Sequence, residues 1–266
     1  LLSPFSKGVV ITSDGRGDFE SMTISIFDKM KKSPLRKIYT NTSSDSLGFF
    51  YGRITGLLGF KPCRHEGKIT GLAARGNPYI AIDLMRKMIN FDGEKIKANL
   101  SNLFRPFYTN YSNELLNELK NYSREDIAAA AQLHLEELIT KVISHIYEKY
   151  NLERLPILMA GGVFGNVKVN QRVKELDCVG DAFVQPQMSD GGLCLGAAAL
   201  LQHQEGFNIR PIKNMYLGPK INKNFNNIIE NHHKDLTLLK SNNIIQDLIK
   251  YLSYDQVVGL VRGRME

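Results

Sequence analysis

Residues 156–166 read PILMAGGVFGN, and this stretch decides the fold class. The run from Pro156 to Ala160 is apolar without alternation, which is typical of a strand buried on both faces. Gly161 and Gly162 follow at once, and an amphipathic pattern then predicts a helix that ends near Leu176. A buried strand that passes through glycines into a helix indicates an α/β fold.

The amino-terminal quarter predicts three more strands. GVVITS at 8–13 is a short apolar run, and Asp14-Gly15-Arg16-Gly17 after it predicts a tight turn. Residues 22–28 alternate between apolar and polar, and residues 35–40 predict a third strand. Because so few residues separate these strands, we expect an antiparallel or mixed meander.

Helices are predicted by capping residues and apolar spacing. One runs from Leu47 to Leu58, with an N-cap among residues 44–46 and Gly59 at its end. A second covers residues 79–90. The clearest begins at Ser123 and ends near residue 150, and its length indicates a helix that spans the core. The irregular stretch 95–111 supports no prediction.

Beyond the glycine pair the pattern continues as strand and helix. Residues 181–185 predict a strand, and 193–203 a helix rich in small residues. Residues 206–224 are rich in Pro, Gly and Asn and predict a linker. After it, residues 244–254 predict a helix and 257–261 a strand.

Composition excludes several classes of protein. Hydrophobic residues make up 43% of the 266 and charged residues 23%, which is typical of a globular protein. No apolar run approaches the ~20 residues of a membrane span, so none is predicted. The net charge is +7, but the basic residues are scattered, which favours a nucleotide phosphate over nucleic acid as the anionic partner. The three widely spaced cysteines predict reduced thiols and a cytoplasmic location.

Three glycine-bearing loops follow predicted strands, where α/β sheets bind ligands and backbone N–H groups attract phosphate. In the first, Gly15 and Gly17 allow close approach to a phosphate, and Asp14 is a candidate cation ligand. The alternative is a plain hairpin turn, since Asp-Gly is a common turn pair. The sequence leaves both interpretations open.

In the second loop, Gly161 and Gly162 leave room for an adenine or ribose against the backbone. Asn166, one turn further, is a candidate for bonding sugar hydroxyls or orienting the loop. The alternative is close packing of the helix on the strand.

In the third loop, Asp190 and Gly191 precede a helix, so Asp190 is either a metal ligand beside the phosphates or an N-cap. Between the first two loops, Gly67 and Lys68 are candidates for bordering a nucleotide, with Lys68 as phosphate partner. A solvated loop carrying a lone lysine is the alternative.

Taken in order, several segments resemble the carbamoyltransferases of nodulation-factor and antibiotic biosynthesis. The segments that carry the resemblance are GVVITSDGRGD, SLGFFYGRITGLLGFKPCRHEGKITGLAARG, ILMAGGVFGN, PQMSDGGLCLGAA, MYLGP and VVGLVRGRME. It covers nearly the whole chain and is weakest over 92–122. The glycine and Asp-x-Gly signals are shared with the tRNA threonylcarbamoyladenosine-forming proteins.

The resemblance implies an actin-like, sugar-kinase-like (ASKHA) nucleotide-binding fold that is truncated at both ends. Residues 1–205 would be the carbamoyltransferase domain without its metal-binding histidines. Residues 206–224 would be the linker, and 225–266 the start of a C-terminal adenylate-forming domain. Two departures stand out: Asp-Gly-Gly occupies 190–192 where relatives often show Asp-Asp-Gly, and Phe-Gly precedes Asn166 in place of a small residue and Leu.

The implied reaction is an ATP-dependent O-carbamoylation. Carbamoyl phosphate and ATP, with Mg²⁺, would give carbamoyl-adenylate, and the carbamoyl group would pass to a hydroxyl of a small-molecule or saccharide acceptor. Asp14 and Asp190 would bind a divalent metal, iron by resemblance, and Asp14 and Lys68 would act in catalysis. The nucleotide contacts would come from Gly15, Gly17, Gly67, Gly161, Gly162, Asn166 and Gly191.

Two other functions remain open at this point. One is threonylcarbamoyl transfer to tRNA, against which the EGK segment and the continuation into GRME argue. The other is a nucleotide-binding module without catalysis. The sequence names neither the acceptor, nor the metal, nor the oligomeric state.

Overall fold

The computed structural model describes residues 1–107, 110–220 and 239–265. The chain forms two compact units, Leu1–Pro211 and Ile212–Glu266. The division falls inside the predicted linker 206–224. The assignment of 225–266 to an adenylate-forming domain stays a prediction, and residues 225–238 and 266 of that stretch lie outside the described ranges.

The first unit opens with three strands and three helices, and strands alternate with helices only from residue 157 onward. Its strands are β1 Lys7–Gly17, β2 Glu20–Asp28, β3 Leu35–Thr42, β4 Ile89–Phe91, β5 Ile96–Ala98, β6 Ile157–Ala160 and β7 Ala182–Val184. Its helices are α1 Leu47–Leu57, α2 Glu66–Ala73, α3 Pro78–Met88, α4 Asn113–Leu119, α5 Arg124–Lys149, α6 Val167–Lys174 and α7 Leu193–Gln204. The second unit contains α8, Ile244–Ser253.

Five of the strands form one mixed sheet in the order β3-β2-β1-β6-β7. β1 pairs antiparallel with β2, and β2 with β3, which confirms the predicted meander. β6 and β7 extend the sheet in parallel with β1. The apolar stretch 156–160 therefore forms an interior strand of the sheet. Three of the four residues of β6 are buried and the fourth is half-buried.

The tight turn predicted at residues 14–17 is wrong. β1 continues through Gly17 with irregular pairing after Ser13, and the chain reverses at Asp18 and Phe19. Both residues have left-handed backbones, with φ of 49° and 66°. Tertiary contacts override the local Asp-Gly turn signal, because α1 is held against this part of β1 by a hydrogen bond from Ser46 to the Asp14 carbonyl.

The predicted helix ends are largely confirmed. Ser46 caps α1 by accepting from the Phe49 N–H, and Ser123 caps α5 by accepting from the Asp126 N–H. Gly59, just past α1, has φ of 77°, the left-handed conformation that ends helices. The 26-residue α5 packs against α2, α3 and α6 and carries much of the core.

Several elements were not predicted. β4 and β5 form a small hairpin, and α2 and α4 are short helices. The strand predicted at 257–261 does not form, since these residues, all but Val258 exposed, pair with no strand in the described part of the chain. Within the described ranges, no helix combines the length and apolarity needed to cross a membrane.

In the second unit, the MYLGP segment and residues 263–265 of the GRME segment lie together. Arg264 donates to the carbonyls of Gly218 and Leu217 at 2.7 and 2.9 Å. The Gly218 N–H donates to the Met265 carbonyl at 2.7 Å. A Cβ on Gly218 would lie 2.6 Å from that carbonyl oxygen, so only glycine allows this approach.

Candidate functional site

Three loops meet at one edge of the sheet because three strands run parallel. Thr12 of β1 lies beside Ala160 of β6, and Met159 of β6 beside Val184 of β7. The residues that follow these pairs therefore leave the sheet on the same side. In α/β sheets this carboxyl edge is where ligands bind.

Asp14 lies at this edge and joins the first two loops. Its Oδ1 accepts from the Gly15 N–H and its Oδ2 from the Gly162 N–H, both at 2.7 Å. Its carbonyl accepts from the Ser46 hydroxyl at 2.9 Å. Since each carboxylate oxygen has more than one lone pair, both can still accept from a ligand or bind a cation.

Gly161 is required by packing. Its φ is 99°, and a Cβ there would lie 2.2 Å from the Ser13 carbonyl oxygen. Close packing therefore requires glycine here, although the close contact is with Ser13 of the neighbouring strand β1 and not with the helix that the alternative interpretation named. Packing does not require glycine at position 162 in the same way, because this residue is exposed. A Cβ added there would lie 3.3 Å from Asp14 Oδ1, beside the carboxylate to which the Gly162 N–H donates.

The third loop is tied to the second by one backbone hydrogen bond, from the Gly161 N–H to the Met188 carbonyl at 2.7 Å. Asp190 follows two residues later, in a short 3-10 turn that precedes α7. The N-cap interpretation of Asp190 is wrong, because α7 begins after Gly192 and has no side-chain cap. The Asp190 carboxylate is exposed and has no hydrogen-bond partner among the described residues.

The remaining loop glycines differ in their surroundings. A Cβ on Gly15 would contact the Phe49 ring at 3.3 Å, and one on Gly17 would meet open space. A Cβ on Gly191 would lie 2.2 Å from the Gln187 side-chain nitrogen, at the far end of a flexible chain. Packing alone therefore does not require glycine at 15, 17 or 191.

Asn166 caps α6 and enters a buried network. Its Oδ1 accepts from the N–H groups of Lys168 and Val169. Its Nδ2 donates to Gln132 Oε1 at 2.8 Å, and Gln132 Nε2 donates back to Asn166 Oδ1 at 3.1 Å. The structure thus shows the loop-orienting role of Asn166, and the sugar-bonding role stays a prediction.

The network extends across four helices. Tyr51 of α1 donates to Gln132 Oε1 at 2.7 Å, and its hydroxyl also meets Thr70 of α2 at 3.1 Å. Gln132 donates to Glu136 at 2.8 Å, and Arg172 of α6 donates to the other Glu136 oxygen at 3.1 Å. The buried carboxylate is therefore both hydrogen-bonded and paired, as burial of a charge requires.

The network was not predicted, although the sequence of α5 carries one indication of it. Gln132 and Glu136 are four residues apart on α5, so they share a helix face. They interrupt an otherwise apolar stripe and are only 6% and 7% exposed. Two polar residues on the buried face of a core helix indicate a network whose partners lie on neighbouring helices.

Tyr51 leads to a prediction about alkaline stability. Burial raises the pKa of Tyr51 to about 12, whereas an unfolded tyrosine titrates near about 10. The unfolded chain therefore loses this proton first, so the stability from Tyr51 is complete below pH ~10 and is lost as the pH rises through ~12. The Tyr51→Phe variant should lose stability less steeply in that window, by up to about 1.4 kcal/mol per pH unit.

Urea unfolding between pH 8 and 12 measures this slope. The matched control is Tyr79→Phe, since Tyr79 is 75% exposed and its removal should leave the slope unchanged. An unaltered slope in Tyr51→Phe would contradict the assignment.

Lys68 lies on the side of α2 that faces away from the network. Its Nζ is 5.7 Å from the centre of the Phe60 ring, a cation–π contact. Thr70, which faces Asn166 at 3.4 Å, is two residues away and so points in nearly the opposite direction. The segment is a helix and not the loop of the alternative interpretation, but Gly67 and Lys68 are both exposed to solvent, as that interpretation expects.

The metal implied by the resemblance can be tested against the donors present. Asp14 and Asp190 supply carboxylate oxygens, which suit hard cations. In the described part of the chain, no three His, Cys, Asp or Glu residues are grouped so as to hold a metal ion. The described residues therefore do not complete a metal centre, and no reaction step is assigned to one.

The sheet and its three loops define an α/β protein with a candidate ligand-binding edge built from Asp14, the glycine pair and the Asp190 loop. Residues 1–199 match the family described as carbamoyltransferase N-terminus. The match covers well over half of the chain, so the chain belongs to the carbamoyltransferase family.

Relatives agree with this assignment. An uncharacterized protein of Methanocaldococcus jannaschii is 34% identical over 278 residues, covering 100% of this chain and 51% of the relative. Nodulation protein NolNO of Sinorhizobium fredii is 25% identical, covering 100% of this chain and 39% of its own length. Nodulation protein NolO of Bradyrhizobium diazoefficiens is 25% identical, over 100% of this chain and 48% of its own. The chain spans about half the length of such relatives.

Proposed function

We propose that the complete gene product is an ATP-dependent O-carbamoyltransferase, and that residues 1–205 form an actin-like domain that binds its carbamoyl-adenylate. The observation that carries the proposal is the Asp14–Gly162 hydrogen bond. It joins two glycine-bearing loops at the carboxyl edge of the sheet in a chain of carbamoyltransferase ancestry. The mixed sheet, with its parallel strands and helical crossovers, supports an actin-like fold.

The proposed transfer step is an acyl substitution. The acceptor hydroxyl oxygen forms a bond to the carbamoyl carbon, and the bond from that carbon to the AMP phosphate oxygen breaks. The hydroxyl proton is released, and the products are the O-carbamoyl compound and AMP. Negative charge grows on the carbamoyl oxygen and the leaving phosphate, so nearby backbone N–H donors lower the barrier.

The chain offers specific groups for binding this adenylate. Gly162 is exposed and has no side chain of its own, so a ribose can approach its backbone next to the Asp14 carboxylate. We assign Gly15, Gly17, Gly67, Gly161, Asn166 and Gly191 to the borders of the same ligand. Lys68 would have to leave Phe60 to reach a phosphate, and its catalytic role stays a prediction.

Asp14 and Asp190 are proposed as two ligands of a divalent metal, iron by resemblance, whose remaining ligands lie outside the described residues. Loss of metal content in Asp14→Asn and Asp190→Asn, measured by elemental analysis, is the readout that does not depend on activity. Unchanged metal content in both variants would remove this assignment.

Transfer itself is tested by giving the complete gene product ATP, carbamoyl phosphate and a set of hydroxyl-bearing small molecules and saccharides. We expect AMP release to depend on the acceptor and mass spectrometry to show an added carbamoyl group. tRNA supplied with threonine and bicarbonate tests the second candidate function. Modified tRNA, together with salt-sensitive tRNA binding, would replace our proposal by the tRNA-directed one. Binding of adenylate without turnover on any acceptor would favour a non-catalytic module.

A further inference from the structure

The side chain of Asn166 is fully bonded within the protein, although the residue lies at the end of the second loop. Its Oδ1 accepts from the backbone N–H groups of Lys168 and Val169 at 3.1 and 3.2 Å. Its Nδ2 donates to Gln132 Oε1 at 2.8 Å and to Thr70 Oγ1 at 3.4 Å. Because an amide has two donor hydrogens and two acceptor lone pairs, a ligand that bonded this side chain would have to displace an existing bond. The Asn166 side chain is therefore better placed to hold the loop than to bind a nucleotide.

Gln132 is bonded to Asn166 in both directions. Its Oε1 accepts from Asn166 Nδ2, and its Nε2 donates to Asn166 Oδ1 at 3.1 Å. The other partners of the Gln132 amide are Glu136 Oε1, which accepts at 2.8 Å, and the Tyr51 hydroxyl, which donates at 2.7 Å. Both donor hydrogens and both acceptor lone pairs of Gln132 are thus in use.

This chain of bonds has one possible direction. At one end the Glu136 carboxylate, paired with Arg172, accepts and does not donate, so it requires the NH₂ group of Gln132. At the other end the backbone N–H groups of α6 donate and do not accept, so they require the oxygen of Asn166. The two ends demand the same orientation of both amides, and a buried network that is satisfied in this way is rigid.

The loop that ends at Asn166 also carries Gly162. Three residues, 163–165, separate the two, and the Asn166 N–H donates to the Val163 carbonyl at 3.1 Å. At the other end of the loop, the Gly162 N–H donates to Asp14 Oδ2 at 2.7 Å. Because the loop is short and bonded internally, a displacement of Asn166 would be transmitted to Gly162 and to its contact with Asp14.

We propose that Gln132 is a positioning residue of the adenylate site: through the Asn166 amide it holds the loop that carries Gly162 in place beside Asp14. Gln132 is 6% exposed on a core helix, so it acts through Asn166 and not by contact with the ligand. The inference rests on the proposed carbamoyltransferase function and adds to it a residue that lies behind the site.

Binding of AMP to the complete gene product, measured by calorimetry, tests this role, since AMP is a product of the proposed transfer step. Gln132→Met keeps the length of the side chain and removes its hydrogen bonds. It should weaken AMP binding about tenfold or more, as displacement of binding groups does. Pyrophosphate release from ATP and carbamoyl phosphate should stay at the wild-type rate, because adenylate formation is assigned to another domain.

A double-variant experiment separates positioning from a general loss of stability. If Gln132 acts through Asn166, Gln132→Met should have little further effect on AMP affinity when it is added to Asn166→Ala. A residue that only stabilises α5 would instead lower the affinity by the same factor with and without the Asn166 side chain.

Tyr147→Phe is the matched control on the same helix. Tyr147 is 2% exposed, and its hydroxyl donates to the Leu155 carbonyl at 3.0 Å, before the start of β6 and away from the glycine loop. This variant should lower the thermal midpoint and leave AMP affinity unchanged. If Gln132→Met does not fold, Tyr51→Phe removes one bond to Gln132 Oε1. It should weaken AMP binding about threefold, and not when Asn166 is already alanine.

Wild-type AMP affinity in both Gln132→Met and Tyr51→Phe, or additive effects in the double variants, would overturn the positioning role and leave the proposed function intact. AMP binding that depends on Gln132, without carbamoyl transfer to any acceptor, would refute the proposed function and leave the positioning role standing. Absence of AMP binding by the wild type would contradict both.

Discussion

Asp14→Asn in the complete gene product should reduce carbamoyl transfer by about 100-fold or more, while carbamoyl-adenylate still forms. Both Asp14 oxygens accept backbone N–H groups, from Gly15 and Gly162. The asparagine amide would place its NH₂ group, a donor, against the N–H of either Gly15 or Gly162. It would also remove the negative charge of the carboxylate. The two loops would lose their connection at the point where the adenylate is proposed to bind. Transfer rate and adenylate formation are measured separately, by labelled acceptor and by pyrophosphate release.

Asp18→Asn is the matched control for this change. Asp18 lies four residues away at the exposed tip of the β1–β2 hairpin, with φ of 49°. Asparagine accepts this left-handed backbone readily, so the variant should fold and transfer normally. Normal transfer by Asp14→Asn, or equal losses in both variants, would contradict a specific role for Asp14.

Gly161→Ala should destabilise the protein by about 3 kcal/mol or more and abolish nucleotide binding. The backbone there has φ of 99°, which strains any residue with a Cβ. The added carbon would also lie 2.2 Å from the Ser13 carbonyl oxygen and push β6 away from β1. Thermal unfolding should shift down by roughly 6–12 °C for a unit of this size.

Gly165→Ala provides the control within the same loop. A Cβ at Gly165 meets nothing within 4 Å, and this residue is not among those with positive φ. Its thermal midpoint and nucleotide affinity should stay near those of the wild type. If Gly161→Ala unfolds at the wild-type temperature, the close approach of the second loop to β1 is not needed for folding.

The sequence predicts those parts of the fold that local patterns determine. The apolar run before Gly161 is a buried strand because every side chain in it is apolar, so both faces of the strand are favoured in the core. α5 begins at Ser123 because capping residues and acidic residues coincide there, and the meander follows from short connections. Such features need no knowledge of distant residues.

Other features depend on contacts between distant residues. Asp14 to Gly17 carry a turn signal, yet they remain in β1 because Ser46 and α1 hold them extended. α2 contains two glycines and no strong apolar face, so it is helical through packing on α5. The Gln132–Asn166 pair joins residues 34 positions apart, which no local pattern reveals.

The candidate site shows the same division. The sequence identifies three candidate site residues because they lie in loops that follow predicted strands: Asp14, Gly161 and Gly162. The structure brings these three together. The Asp190 loop is connected to them through the Gly161–Met188 hydrogen bond, and Lys68 faces Phe60. The position of a long side chain depends on its tertiary neighbours. The direction of the Lys68 side chain could therefore not be predicted from the sequence.

The most direct test of the account is to incubate the complete gene product with ATP and radiolabelled carbamoyl phosphate, without an acceptor. We expect labelled carbamoyl-adenylate and pyrophosphate, because the proposed transfer step uses that intermediate as its carbamoyl donor. If neither product forms when a divalent metal is supplied and ATP is shown to bind, the carbamoyl-adenylate mechanism is wrong for this protein.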